Sequence, residues 1–181
     1  MLFRSDQTEQ PLERGALYQF PIRAAFSSGF ASVAFGIVRS MLDAFEDVAQ
    51  DKVPRAGMVV LKQNAVVQSQ VARAEAQLRA ARAYMHQTLR EAHAYAEQHG
   101  TLSLEQRVLI RLATTHAIQQ AAQVGDAIHM AAGATAVFAS SPFERWFRDL
   151  HAVTAHVQGH QIHYETVGQF FLGIQPEMAW L

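Results

Sequence analysis

Apolar residues along this chain recur every three or four positions, the period of helices that turn one face to a core. From Pro21 onward, Ile22, Ala25, Phe26, Gly29, Phe30, Val33, Ile37, Met41, Ala44, Phe45 and Val48 predict a first helix ending near Gln50. Pro54 and Gly57 mark the turn that follows. A second, longer helix is predicted from about Met58 to Gln98, where Val67, Val71, Ala74, Leu78, Ala81, Met85, Leu89, Ala92 and Ala96 step by three and four. At the helical rise it would be roughly 60 Å long, so its far end needs something to lean on, such as another subunit. His99 and Gly100 end it as last-turn cation and C-terminal glycine.

Ser103 and Gln106 form a capping box for a third helix running to about Met130, whose second half is rich in small residues and admits a close neighbour. The run Ala131–Ser141 breaks the pattern at Gly133. Ser141 as N-cap, Pro142 at the first helical position and Glu144 three residues after the cap then open a fourth helix, read as continuing past Gly159 until Pro176 stops it. On that helix Glu144 pairs with Arg148 and Arg145 with Asp149, and the second face continues through Ala152 to His156, His160 and His163. No segment alternates with period two. The prediction is an all-α, up-and-down four-helix bundle over residues 19–181, preceded by a tail or linker remnant over residues 1–18.

Composition narrows the chemistry. Half of the 181 residues are hydrophobic, which excludes general disorder, and the formal net charge of -1 offers no field for nucleic acid or an anionic membrane. With no cysteine, thiolate catalysis and cysteine metal sites are excluded. The first ten residues lack the apolar core of a secretory signal, and the most apolar segment, Ile22 to Val38, is interrupted by Arg23, so the chain reads as soluble and cytoplasmic. The three histidines would suit a zinc-like site, but Gly159 falls among them and the Glu-x-x-His pairs of di-iron bundles are absent, so no metal is expected. The paired charges Glu144, Arg145, Arg148 and Asp149 are read as structural.

The run AAGATAVFASSPFERWFRDLHAVTAH, with the opening LYQFPIRAAFSSGFASVAFGIVRSMLDAF and the ending VGQFFLGIQPEMAWL, resembles the C-terminal helical domain of the acyl-CoA dehydrogenase superfamily. More narrowly it looks like the branch of reduced-flavin-dependent, two-component monooxygenases, whose substrates are phenols and related compounds. The dehydrogenases are expected to carry a catalytic glutamate nine residues after the second arginine of ER-x-x-RD; here that position is Val157. His156 stands immediately before it, and the resemblance implies that this histidine lies beside the flavin ring and handles a proton there, a task suited to imidazole.

The resemblance also implies that the Gln-x-x-Gly-Gly-x-Gly turn, which in the dehydrogenases contacts the flavin dinucleotide across a subunit interface, corresponds here to His129, Ala132, Gly133 and Thr135. Gly133 alone is retained, in keeping with a branch that borrows reduced FMN or FAD from a separate flavin reductase. His129, Gly133 and Thr135 are thus the expected cofactor-binding residues, with a homo-oligomer (dimer or tetramer) and a small aromatic substrate as expected partners. Proteins of the superfamily place an N-terminal helical domain and a β-domain before this bundle, so the isolated chain is expected to be incomplete as an enzyme. Two rival readings are a non-catalytic helical oligomerisation module and an acyl-CoA dehydrogenase relative whose base lies elsewhere, with Glu165 as its candidate.

Overall fold

The computed structural model describes residues 13, 15–54 and 57–181. It contains five α-helices, α1 (Ile22–Asp51), α2 (Ala65–His99), α3 (Leu104–Ala132), α4 (Pro142–Ala155) and α5 (His163–Phe171), and no strand among the described residues. The architecture is the expected all-α bundle, with α4 and α5 in succession filling the fourth position. Most of the predicted tail, residues 1–12 and 14, lies outside the described residues. Its last residues form a 3₁₀ turn, Ala16–Gln19, which packs on α2.

The middle helix organises the bundle. Along α3 the runs Ala113–Thr115 and Ala117–Gln119 are buried without interruption, which a helix shows only when it is enclosed on several sides. It packs against α1, α2, α4 and α5, whereas α1 and α2 scarcely touch each other. The small residues in its second half serve the expected close approach: a Cβ added at Gly125 would stand 2.3 Å from Leu150 Cδ2 of α4. The main core joins Phe35, Met41, Leu42 and Phe45 of α1 to Leu78 and Met85 of α2, Ile118 and Ile128 of α3, and Phe143 and Leu150 of α4.

Helix ends follow their local chemistry. Ser103 Oγ accepts the Gln106 backbone N–H at the start of α3, and Gly100 closes α2 at φ 68°, a left-handed conformation that glycine adopts without a Cβ penalty. Three expectations need correction. The second helix begins at Ala65 rather than near Met58, because Asn64 caps it by accepting from the backbone N–H groups of Val66 and Val67. Ser141 makes no side-chain cap bond, so the box with Glu144 is not formed; its own N–H donates to Phe138 O. The fourth helix stops at Ala155, short of Gly159, where a Cβ would collide with the Val153 carbonyl oxygen.

The far end of α2 is covered from within the chain. Ala92 and Ala96 form a small cluster with Ala24, Leu102 and Ile110, and Ala16 and Phe20 pack against it. On α1 the apolar stripe named from the sequence divides. Met41 and Phe45 are buried, but Ile22, Phe26 and Val33 are exposed, while the smaller Ala24, Ser27, Ala31 and Ala34 face inward. By length and composition α1 is apolar enough to cross a membrane; here its inward face packs on α3 and α4.

Candidate functional site at the end of α4

His156 is the C-cap of α4, with extended backbone at φ -69° and ψ 145°. Its imidazole stacks on Phe30 of α1, ring centroids 4.1 Å apart and planes 13° from parallel. Beside that stack the outward stripe of α1 forms an apolar groove of about 300 Å³ with Val153 of α4, lined by Ala25, Phe26, Gly29, Phe30 and Val33. The Gln158 backbone N–H donates to His156 Nδ1 at 3.2 Å. In the neutral ring this leaves the proton on Nε2, so the histidine offers an N–H donor beside an aromatic and aliphatic surface.

The other two histidines of the supposed stripe go elsewhere, because the chain leaves the helix at residue 156. His160 is exposed, whereas His163 is wholly buried at the start of α5, where its Nε2–H donates to Val157 O at 2.6 Å. Among the described residues no three His, Asp or Glu side chains gather as a metal site. Burial lowers the His163 pKa from the usual histidine value, the bond to Val157 O opposes this, and the charge of Arg111 and His160 adds to the lowering. Its Nδ1 has no partner among the described residues, so protonation would create a buried donor without an acceptor there.

A folded-state pKa below the unfolded one means that the unfolded chain takes up the proton first as pH falls. Stability is therefore expected to decline below the usual histidine value of about 6.5, towards the lower folded-state pKa. Melting temperatures measured from neutral to mildly acidic pH test this. A decline unchanged by His163→Gln would reject the assignment to His163.

The second expected cluster lies at the opposite end of α4. Gly133 adopts φ 56° at the end of α3 and opens the 3₁₀ turn Gly133–Val137. Lys52, just past α1, donates from Nζ to Ala132 O and to Thr135 Oγ1, the latter at 2.6 Å. Sequence reading missed this lysine, which is 83 residues from Thr135 and carries no motif of its own. Burial lowers its pKa from the usual lysine value. Lys52→Met is expected to cost about 1–2 kcal/mol, by leaving the Ala132 carbonyl without its partner. Urea denaturation measures this, and an unchanged midpoint would rule the contact out as stabilising.

His129 is not part of that cluster's bonding; its ring lies 4.2 Å from Phe147 of α4. A second link missed in the sequence is His151, whose Nε2 is 2.8 Å from Asp126 Oδ1 and ties α4 to α3. The expected ion pairs are present, Glu144 with Arg148 at 2.7 Å and Arg145 with Asp149 at 3.5 Å. Both arginines are exposed, at 69% and 79% for Arg148 and Arg145, and among the described residues pair only along α4, so each bridge contributes a few tenths of a kcal/mol. At 14 residues α4 is roughly 21 Å long; His156 follows its end, and the Gly133–Val137 turn precedes its start.

A family profile described as "Acyl-CoA dehydrogenase, C-terminal domain" matches residues 28–161. The chain belongs to that family. An indole-3-acetate monooxygenase of Pseudomonas putida is 29% identical over 91% of this acyl-CoA dehydrogenase C-terminal domain chain and 42% of its own length. The oxygenase component of p-hydroxyphenylacetate 3-hydroxylase from Acinetobacter baumannii is 27% identical over 89% and 38% respectively. Among solved structures, XiaF from Streptomyces sp., in complex with FADH2 and glycerol, superposes with a TM-score of 0.82 at 20% identity, covering 89% of this chain and 41% of that one. The 3-HSA hydroxylase of Rhodococcus sp. RHA1 does so with the same score over 92% and 43%. The chain thus spans about two fifths of the length of the curated relatives it matches, and these likenesses extend the family assignment to the fold.

In this domain the dehydrogenase reading has little to stand on. Val157 occupies the expected base position, and Glu165 is exposed in the first turn of α5.

Proposed function

We propose that this chain is the C-terminal domain of a reduced-flavin-dependent monooxygenase that oxygenates a small aromatic substrate with dioxygen. The observation that carries the reading is the His156–Phe30 stack beside the groove of Phe26, Val33 and Val153. A flat aromatic group fits there, with apolar surface against its face and one imidazole N–H within reach of a polar edge. The names of the curated relatives, an indole-3-acetate monooxygenase and a hydroxyphenylacetate hydroxylase, support the same class of chemistry.

Bound reduced flavin, FMN or FAD, would supply the electrons for oxygen activation, delivered by a separate flavin reductase. His156 would hold or move a proton at Nε2, its ring kept in place by Phe30 on one face and by the Gln158 N–H at Nδ1. Thr135 and Gly133, with Lys52 bonded to Thr135, would meet a flavin belonging to another subunit of a homo-oligomer.

Anaerobic titration with reduced FMN and reduced FAD, followed by fluorescence and calorimetry, tests the reading. Saturable binding is expected, weakened about fivefold by His156→Ala through loss of one hydrogen bond. Binding that ignores His156, or none at millimolar flavin, would remove the basis for the proposal.

A further inference from the structure

The turn between α4 and α5 is gripped from beneath by side chains that the proposed chemistry does not use. Arg111 of α3 is 2% exposed, and no ion pair to it occurs among the described residues. It donates instead from a terminal guanidinium nitrogen to Gln158 Oε1 at 3.0 Å, and from Nε to Trp180 O at 2.8 Å. Two helical turns further along α3, Gln119 donates to Gly159 O at 2.8 Å and accepts from Gln161 Nε2 at 2.9 Å. Three consecutive turn residues are thus held, since Val157 O accepts from His163. Gln158 is the residue whose backbone N–H meets His156 Nδ1.

A buried guanidinium without a carboxylate is an expensive way to stabilise a fold, and an apolar side chain of similar volume would serve packing better. A satisfied buried network, by contrast, selects one conformation among several of similar compactness. Here every acceptor of the two α3 side chains lies in the 158–161 turn or in the C-terminal segment packed beneath it.

We propose that Arg111 and Gln119 are positioning residues for His156: by clamping the turn at Gln158 and Gly159 they hold the imidazole as its Nε2–H tautomer, stacked on Phe30. Trp180 completes the clamp. Its ring stands edge-on to His163 at 5.5 Å and beneath the Arg23 guanidinium at 5.3 Å, so the C-terminal segment takes part in orienting a histidine that it does not touch. That His156 is functional rests on the reading above; that Arg111 and Gln119 set its geometry does not.

The test is NMR of the whole chain labelled with ¹⁵N-histidine, without flavin and at alkaline pH where imidazoles are neutral. In the parent protein His156 is expected to show one tautomer and ring protons shifted by Phe30. Arg111→Met is expected to move both signals toward those of free histidine and to speed amide exchange at residues 157–161 about tenfold or more. Arg111→Lys, which can still donate to one acceptor, should restore part of the shift. Met85→Ala, a cavity on α2, should lower the melting temperature and leave the His156 signals where they are. If Arg111→Met fails to fold, Gln119→Leu, which keeps Arg111 in place, is expected to move the signals in the same direction. His156 signals unchanged in a folded Arg111→Met or Gln119→Leu protein would overturn the proposal. The flavin titration of His156→Ala bears only on the functional reading, so the two stand or fall separately.

Discussion

Phe45→Ala is expected to lower the stability of this domain by about 3–5 kcal/mol, the range for removing a fully enclosed aromatic ring. The Phe45 side chain has no exposed surface, and it belongs to the core formed where α1 meets α3. Helices around it are held by neighbours on several sides, so they cannot move in to fill the space, and the lost contacts add to the lost transfer energy. For a chain of this size that corresponds to a fall in melting temperature of roughly 10 °C. Phe171→Ala provides the contrast: at 58% exposure the ring should be removable within about 0.5 kcal/mol. Calorimetry of the two variants decides the matter; similar melting temperatures would mean that the α1–α3 core is misassigned.

Gly159→Ala is expected to damage the candidate site more than any other single methyl group would. A Cβ there would stand 2.4 Å from the Val153 carbonyl oxygen and 3.1 Å from Ile118 Cγ2. The first of these is backbone, which cannot swing aside as a side-chain end can, so the turn itself has to shift. Overpacking of this kind costs typically 1–3 kcal/mol, to which the strained Gln119–Gly159 hydrogen bond adds. Denaturant unfolding should register the loss. Ring-proton shifts of His156 should show it leaving Phe30, and a variant with parent-like midpoint and parent-like His156 signals would refute the close-packed account of this glycine.

Gly159 also shows how part of the site was legible and part was not. Its presence among the histidines was visible as an interruption, but a helical phase carried across it put His156, His160 and His163 on one stripe. In the folded chain the helix ends four residues earlier, at Ala155, because the glycine is needed where the backbone passes close beneath Val153. His156 itself was legible through the ER-x-x-RD run, which places it by counting. Lys52, Arg111 and Gln119 were not, since each acts on a segment at least 40 residues away and none belongs to a local pattern.

The apolar stripe of α1 gives a second lesson. Periodicity identifies which residues share a face, but hydrophobicity alone does not say which face meets the core. The larger residues Ile22, Phe26 and Val33 were the natural choice for the interior, yet Ala24, Ala31 and Ala34 occupy it. Small side chains fill the inward positions at that end of α1, and the outward stripe becomes the groove beside His156.

By itself the sequence determined the all-α class, the long helices α1 to α3, the caps at Ser103 and Gly100, and the family resemblance, because all of these rest on spacings within about four residues or on short runs. Tertiary structure alone decided that α3 would be the enclosed helix, which face of α1 would look outward, and how the turn after α4 would be gripped. Those outcomes depend on distances between segments far apart in the chain, and they are set by the close packing of small residues and the need of each buried polar group for a partner.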